Sequence, residues 1–189
     1  MIEVWLVRHG ETEWTVSKKH TGTTDIPLTA AGEERARELS SVLGSRSFGL
    51  VMTSPLLRAR RTAELAGFAD AVVDPRLVEL NYGDYEGLTT AEIHEQRPDW
   101  YLWRDGSPNG ESMEDAGARA DAVIEELSSA PGDVLLFGHG HFSRVLGARL
   151  LGLPPSEGRL LMLGPAAVCV IGAEHDQRAI KHWNWQPEI

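Results

Sequence analysis

Short apolar runs alternate with amphipathic stretches along the chain. Residues 2–7 are β-rich and stop abruptly at Arg8-His9-Gly10, a pattern that predicts a buried strand delivering a loop at its C-terminal end. After a polar stretch, Thr29 reads as a helix N-cap, with Ala36, Leu39, Val42 and Leu43 recurring behind it at helical spacing. Residues 48–53 predict a second strand. Ser54-Pro55 then offers a cap and a first-turn proline for a helix reaching about Ala66. Residues 71–73 predict a short third strand. Residues 77–90, rich in Gly, Tyr and acids, read as a surface loop.

Residues 90–96 predict a short helix ended by Pro98, and the Trp/Gly/Pro-containing stretch 100–110 receives no regular structure. A longer amphipathic helix over 112–129 follows, then a strand over 133–137, a helix over 141–151 and two final strands over 168–173 and 178–183. This alternation predicts an α/β protein, a three-layer α/β/α sandwich around a largely parallel sheet. No internal repeat or linker interrupts it, so the expectation is one domain over residues 1–189.

Composition narrows the function. With 42% hydrophobic and 24% charged residues the chain is globular in character. No apolar stretch approaches the roughly 20 residues of a membrane span, and the first residues carry no secretion-signal pattern. A lone Cys169 fits a reducing compartment, so a cytoplasmic location is expected. The net charge of −10 argues against a nucleic-acid partner, because such partners need a broad basic face. An anionic substrate would therefore need a locally positive pocket.

Three apolar strands lead into segments that suit phosphate: Arg8-His9-Gly10, residues 54–61 with Arg58, and Gly138-His139-Gly140-His141. In a parallel sheet the strand C-termini share one edge, so His9, Arg58 and His139 can meet. Phosphoryl transfer needs a nucleophile, cations around the phosphate oxygens and a proton donor for the leaving group. Neutral imidazole supplies the first, and arginine forks supply the second. His139 and His141, two apart, also allow a metal site, although no acidic partner motif accompanies them.

The motifs are also familiar as a set. Leu6-Val7-Arg8-His9-Gly10-Glu11-Thr12-Glu13-Trp14 resembles the signature of the histidine phosphatase superfamily, which includes cofactor-dependent phosphoglycerate mutases. Thr21-Gly22, Asp25-Ile26-Pro27-Leu28-Thr29, Ser54-Pro55-Leu56-Leu57-Arg58-Ala59, Glu79-Leu80-Asn81-Tyr82-Gly83 and Gly138-His139-Gly140 follow in that family's order. The resemblance implies a phosphoglycerate mutase-like fold. It implies His9 as a nucleophile that becomes phosphorylated, Arg8, Arg58 and His139 as its cationic pocket, and Glu79 as proton donor. It further places Thr15, Thr21, Gly22, Tyr82 and Gly140 around the phosphate or substrate.

No metal and no cofactor is implied, and the expected partner is a small phosphorylated metabolite, a sugar phosphate or bisphosphate. Leu80-Asn81 directly after Glu79, with Arg97 and Arg104 the only basic side chains besides His94 between Arg76 and Arg119, resembles the phosphatase branch with sedoheptulose-bisphosphatase-like and acid-phosphatase-like members. Arg104 either pairs with Asp105 or reaches a second anionic group. A phosphoglycerate mutase and a non-catalytic protein that binds a phosphorylated ligand are the competing readings. Because Glu79 must carry a proton to donate it, turnover is expected to favour pH below neutral.

Overall fold

The computed structural model describes residues 1–186 and places six strands in one sheet. In chain order the elements are β1 (Val4–Arg8), α1 (Glu13–Val16), α2 (Ala30–Leu43), β2 (Leu50–Thr53), α3 (Leu57–Leu65) and β3 (Val72–Val73). They continue with α4 (Thr90–Gln96), α5 (Leu102–Asp105), α6 (Met113–Leu127), β4 (Val134–Gly138), α7 (Gly140–Leu150), β5 (Val168–Glu174) and β6 (Gln177–Trp185). The strand order is β3-β2-β4-β1-β5-β6. The first four run parallel, whereas β5 and β6 are antiparallel additions at one side.

Alternation along the central strands explains the three layers. Val4, Leu6, Val134 and Leu136 face a core shared with α6 and α7, while Trp5, Val7, Leu135 and Phe137 face α2 and α3. Both sheet faces are therefore buried, which is why these strands read as continuous apolar runs rather than as alternating ones. Each such side chain contributes roughly 1.5–3 kcal/mol on full burial. Side-chain caps start α2 and α6, where Thr29 and Ser112 accept from Gly32 and Asp115 backbone N–H groups.

Register brings the chemistry-bearing ends together. Arg8 lies opposite Gly138 and Thr53 opposite Phe137, so β1, β2 and β4 end side by side. The crevice beyond the carboxyl ends of such strands is where open α/β sheets place their ligands.

Four local expectations change. Helix α3 begins at Leu57 with Leu56 in the cap position, not at Pro55, because the Ser54 hydroxyl bonds the His139 ring. The expected surface loop 77–90 is an inward-facing segment that buries Leu77, Leu80, Tyr82 and Tyr85. Residues 102–105, expected to be irregular, form one helical turn that buries Leu102 and Trp103. A short helix, α1, also lies in the polar stretch after β1, closed by a reciprocal Thr12–Thr15 capping box.

Gly83 joins two of these segments. Its φ is +50°, and a Cβ there would lie 2.1 Å from the Pro108 carbonyl oxygen. Asp84 N–H donates to that same carbonyl and Glu111 N–H to Asn81, so residues 81–84 and 108–111 lie backbone against backbone. Only glycine permits both the left-handed conformation and the close approach. Among the described residues no helix is long and apolar enough to cross a membrane.

Candidate active site

His9 follows directly on β1, held by its backbone N–H to Gly138 and by Ala166 N–H donating to its carbonyl. Its Nδ1 lies 2.7 Å from the Gly10 carbonyl oxygen. A carbonyl only accepts, so Nδ1 carries the proton and Nε2 keeps its lone pair. Burial first, then the charges of Arg8 and Arg58, hold the His9 pKa well below the ordinary histidine value. The ring stays neutral, as a nucleophile requires. Gly10 N–H donates to Thr62 Oγ1, whose hydroxyl donates to the Arg58 carbonyl, tying this loop to α3.

Arg58 is fully buried beside His9. Its two terminal nitrogens donate to the carbonyls of Thr24, Thr21 and Gly22 at 2.9–3.1 Å. That loop is clamped from its other side by Glu86, which accepts from Gly22 and Thr24 N–H groups at 2.9–3.0 Å. A Cβ on Gly22 would lie 2.4 Å from the Leu80 carbonyl oxygen and 2.7 Å from the Glu86 carboxylate, so glycine is needed for this packing.

Arg8 donates to the Leu163 carbonyl at 2.5 Å. Burial lowers the pKa of both arginines, opposed chiefly by Glu79. Arginine nonetheless keeps its charge at any ordinary pH. Among the described residues, Arg8 Nε, Arg58 Nε and His139 Nδ1 are buried without a hydrogen-bond partner. Buried polar atoms are almost always paired, so three around one histidine mark a place where an anion's oxygens would bond.

His139 is the cap residue of α7, and its ring centroid lies 5.3 Å from that of His9. Its Nε2 is 2.8 Å from Ser54 Oγ, which also accepts from Leu56 N–H. With the Ser54 hydroxyl donating to Nε2, the His139 proton sits on Nδ1, which has no partner among the described residues and is left for a ligand oxygen. Burial and the neighbouring Arg58 keep this ring neutral as well. It can then offer an uncharged N–H donor.

Glu79 sits across from these groups, 6% exposed. Its Oε1 accepts from Leu80 and Phe142 N–H groups at 3.0 and 2.7 Å, and Oε2 from His141 N–H at 3.0 Å. Glu79 thus caps α7 with its carboxyl group, where the orphan donors and the helix dipole favour an acceptor. Oε1 is saturated, whereas Oε2 keeps a free lone pair.

A cavity of about 460 Å³ opens over Arg8, His9 and Glu79. Thr15, Thr21, Tyr82 and Gly140 also border it. The Thr15 hydroxyl is engaged with Thr12, and that of Thr21 donates to the Lys19 carbonyl. Gly22 lies outside the cavity, its N–H and carbonyl serving Glu86 and Arg58. Arg104 is also outside, and the fully buried Arg58 and His139 do not border the cavity either. Arg104 is exposed and paired with Asp105 at 2.7 Å and with the Asp99 carbonyl. A carboxylate one residue away outcompetes a distant ligand for an exposed guanidinium.

His139 and His141 do not converge on a common point. One faces Ser54 and the other bonds Tyr82 Oη at 2.6 Å, because the segment is a helix start rather than an extended strand. Among the described residues no group of three His, Cys, Asp or Glu side chains is placed to hold a metal.

Several lining residues escaped the sequence motifs: Lys18, Lys19, His20, His94, Trp100 and Arg144. Arg144 carries a readable signal, since it falls three residues after His141 and therefore on the same helix face.

With this geometry in hand, comparison with known proteins decides the family. The model of the histidine phosphatase superfamily (branch 1) matches residues 4–186. The chain belongs to that superfamily. This histidine phosphatase superfamily member is 40% identical over 181 residues to an acid phosphatase of Mycobacterium tuberculosis, covering 93% of this chain and 88% of the relative. It is 37% identical over 182 residues to the sedoheptulose 1,7-bisphosphatase of Saccharomyces cerevisiae, covering 78% and 67%. Relatives named "Probable phosphoglycerate mutase GpmB" also match, that of Yersinia enterocolitica at 38% over 179 residues, covering 86% and 81%. A solved mycobacterial glucosyl-3-phosphoglycerate phosphatase in complex with VO3 superposes with a TM-score of 0.87 at 32% identity, covering 97% and 99% of the two chains.

The buried histidines also set the pH dependence of folding. His9, His139 and His141 all have pKa values held well below the ordinary 6.5, each primarily by burial. Below about pH 6.5 the unfolded chain takes up protons that the folded chain does not. Stability is therefore fully present above that pH and declines as pH falls through it. Thermal unfolding is expected to show a Tm that drops progressively from pH 7.5 to pH 5. A Tm that stays level or rises over that range would contradict it.

Proposed function

We propose that this protein is a metal-independent phosphomonoesterase for small phosphorylated metabolites, working through a phosphohistidine on His9. The carrying observation is the His9 ring, with Nδ1 tied to the Gly10 carbonyl and Nε2 keeping its lone pair in the field of Arg8 and the fully buried Arg58. Nε2 attacks phosphorus as the bond to the ester oxygen breaks, and Glu79 Oε2 gives that oxygen its proton. Water then attacks the phosphohistidine, returns a proton to Glu79 and releases inorganic phosphate. Arg8, Arg58 and the Nδ1–H of His139 neutralise the charge gathering on the phosphoryl oxygens, a role that preorganised donors fill best when dry. The relatives named as phosphatases support hydrolysis as the outcome.

Initial phosphate release, measured in EDTA across sugar bisphosphates, sugar monophosphates, 3-phosphoglycerate and an aryl phosphate, tests this reading. Release in EDTA together with an acid-labile phosphoprotein on rapid quenching is the expected result. Phosphoryl exchange dependent on bisphosphoglycerate, without net release, would replace it with a mutase. Binding with neither would leave a phospho-ligand receptor.

A further inference from the structure

We infer that Trp183 and Asn184, on the edge strand β6, are positioning residues for the phosphate pocket, because they hold the peptide unit whose carbonyl anchors Arg8. This rests on the reading of Arg8 as a ligand of the phosphoryl group and adds to it what aims that arginine.

Strand β6 slips out of step with β5 at this point. Val168 lies opposite Trp185 and Val170 opposite His182, so Trp183 and Asn184 together face Cys169 alone. Two residues against one make a β-bulge, a device that re-aims side chains which regular pleating would send elsewhere. Asn184 has a φ of +55°. Asparagine is among the few residues with a side chain that adopt this left-handed conformation readily.

Both bulge side chains reach the segment that precedes β5. Trp183 Nε1–H donates to the Met162 carbonyl at 2.7 Å, and Asn184 Oδ1 accepts from Gly164 N–H at 2.7 Å. Leu163 lies between these two bonds. Its carbonyl and the Gly164 N–H belong to one planar trans peptide unit, so fixing the N–H fixes the carbonyl on the opposite side. That carbonyl accepts from Arg8 Nη1 at 2.5 Å, the one hydrogen bond of the Arg8 guanidinium among the described residues. An amide whose N–H already donates is also a stronger acceptor at its oxygen.

Nothing else holds the fork by a directed bond. A Cβ on Gly140 would lie 3.3 Å from Arg8 Nε and Cζ, so the start of α7 limits the guanidinium by contact alone. Turning the Leu163 carbonyl away would let the fork rotate, and with it the buried, unpartnered Nε that faces the ligand. The same segment also reaches His9, whose carbonyl accepts from Ala166 N–H. Asn184 itself is exposed. Water can satisfy Gly164 N–H there, so losing the amide costs little stability while releasing the direction of the peptide.

Three variants test the assignment. Asn184→Gly keeps the left-handed backbone and removes the acceptor, Asn184→Asp keeps an acceptor, and Trp183→Phe keeps a ring and removes the donor. The probes are orthovanadate, titrated by calorimetry, and kcat/KM on one alkyl and one aryl phosphate. Asn184→Gly and Trp183→Phe are each expected to weaken vanadate binding and kcat/KM by about 3- to 30-fold, equally on both esters because the phosphoryl group is common to them. Asn184→Asp should stay within about threefold of wild type, and the Tm of Asn184→Gly within about 3 °C. In an Arg8→Met background, Asn184→Gly should cause no further loss of kcat/KM on the aryl ester, since no guanidinium is left to aim.

A full further loss in that background would overturn the inference, as would unchanged vanadate affinity in Asn184→Gly or an equal loss in Asn184→Asp. Should Arg8→Met fail to fold, the contrast between glycine and aspartate at position 184 decides alone. Vanadate binding without phosphate release in wild type would remove the phosphatase reading and leave this test intact.

Discussion

Replacing His9 by alanine is expected to lower kcat/KM for every phosphate monoester by about 10⁴-fold or more. His139 Nε2 is occupied by Ser54, and Arg8 and Arg58 have no lone pair to offer. The phosphoprotein should vanish together with turnover. The two arginines and His139 remain in the variant, so phosphate or vanadate should still bind. Initial-rate assays, rapid quenching and vanadate titration on the same preparation decide the matter. Activity within tenfold of wild type would remove His9 from the nucleophile role.

Glu79→Gln should reveal a dependence on the leaving group. Alkyl phosphates, whose departing alkoxide needs a proton, are expected to lose about 10²- to 10⁴-fold in kcat. An aryl phosphate with a stable phenolate should lose far less. Comparing both substrates in one variant cancels any effect of folding. Folding will be affected, because an amide that keeps its oxygen on the N–H groups of Leu80 and Phe142 turns its nitrogen, which cannot accept, toward His141 N–H. One orphaned donor of this kind costs about 1–3 kcal/mol, visible as a lower Tm. Equal loss on alkyl and aryl esters would make Glu79 a cap of α7 and nothing more.

The site was legible where a short motif also dictates local backbone. Arg8-His9-Gly10 ends a strand, Gly138-His139-Gly140 begins a helix, and parallel register puts the two side by side. What was not legible lay in long-range pairing. Ser54 reads as a helix cap in sequence, but its hydroxyl is used by a histidine 85 residues away. Glu86 reads as a loop acid, yet it holds the loop whose carbonyls orient Arg58. Residues 77–90 look polar enough for a surface, because sequence periodicity does not report that Leu80, Tyr82 and Tyr85 point inward from an irregular segment.

Arg104 and Arg144 show the same division from the other side. Arg104 pairs with the next residue, Asp105, one of the two readings its sequence left open, whereas Arg144, which no motif singled out, borders the cavity. Sequence by itself determined the alternating layers, the family and the identities of several groups gathered around His9, since apolar periodicity and short motifs are local properties. Only the tertiary structure decided the pairing of His139 with Ser54 and the anchoring of Glu79 on the start of α7. Each of those depends on which partner lies within about 3 Å, and that is set by packing between segments distant in the chain.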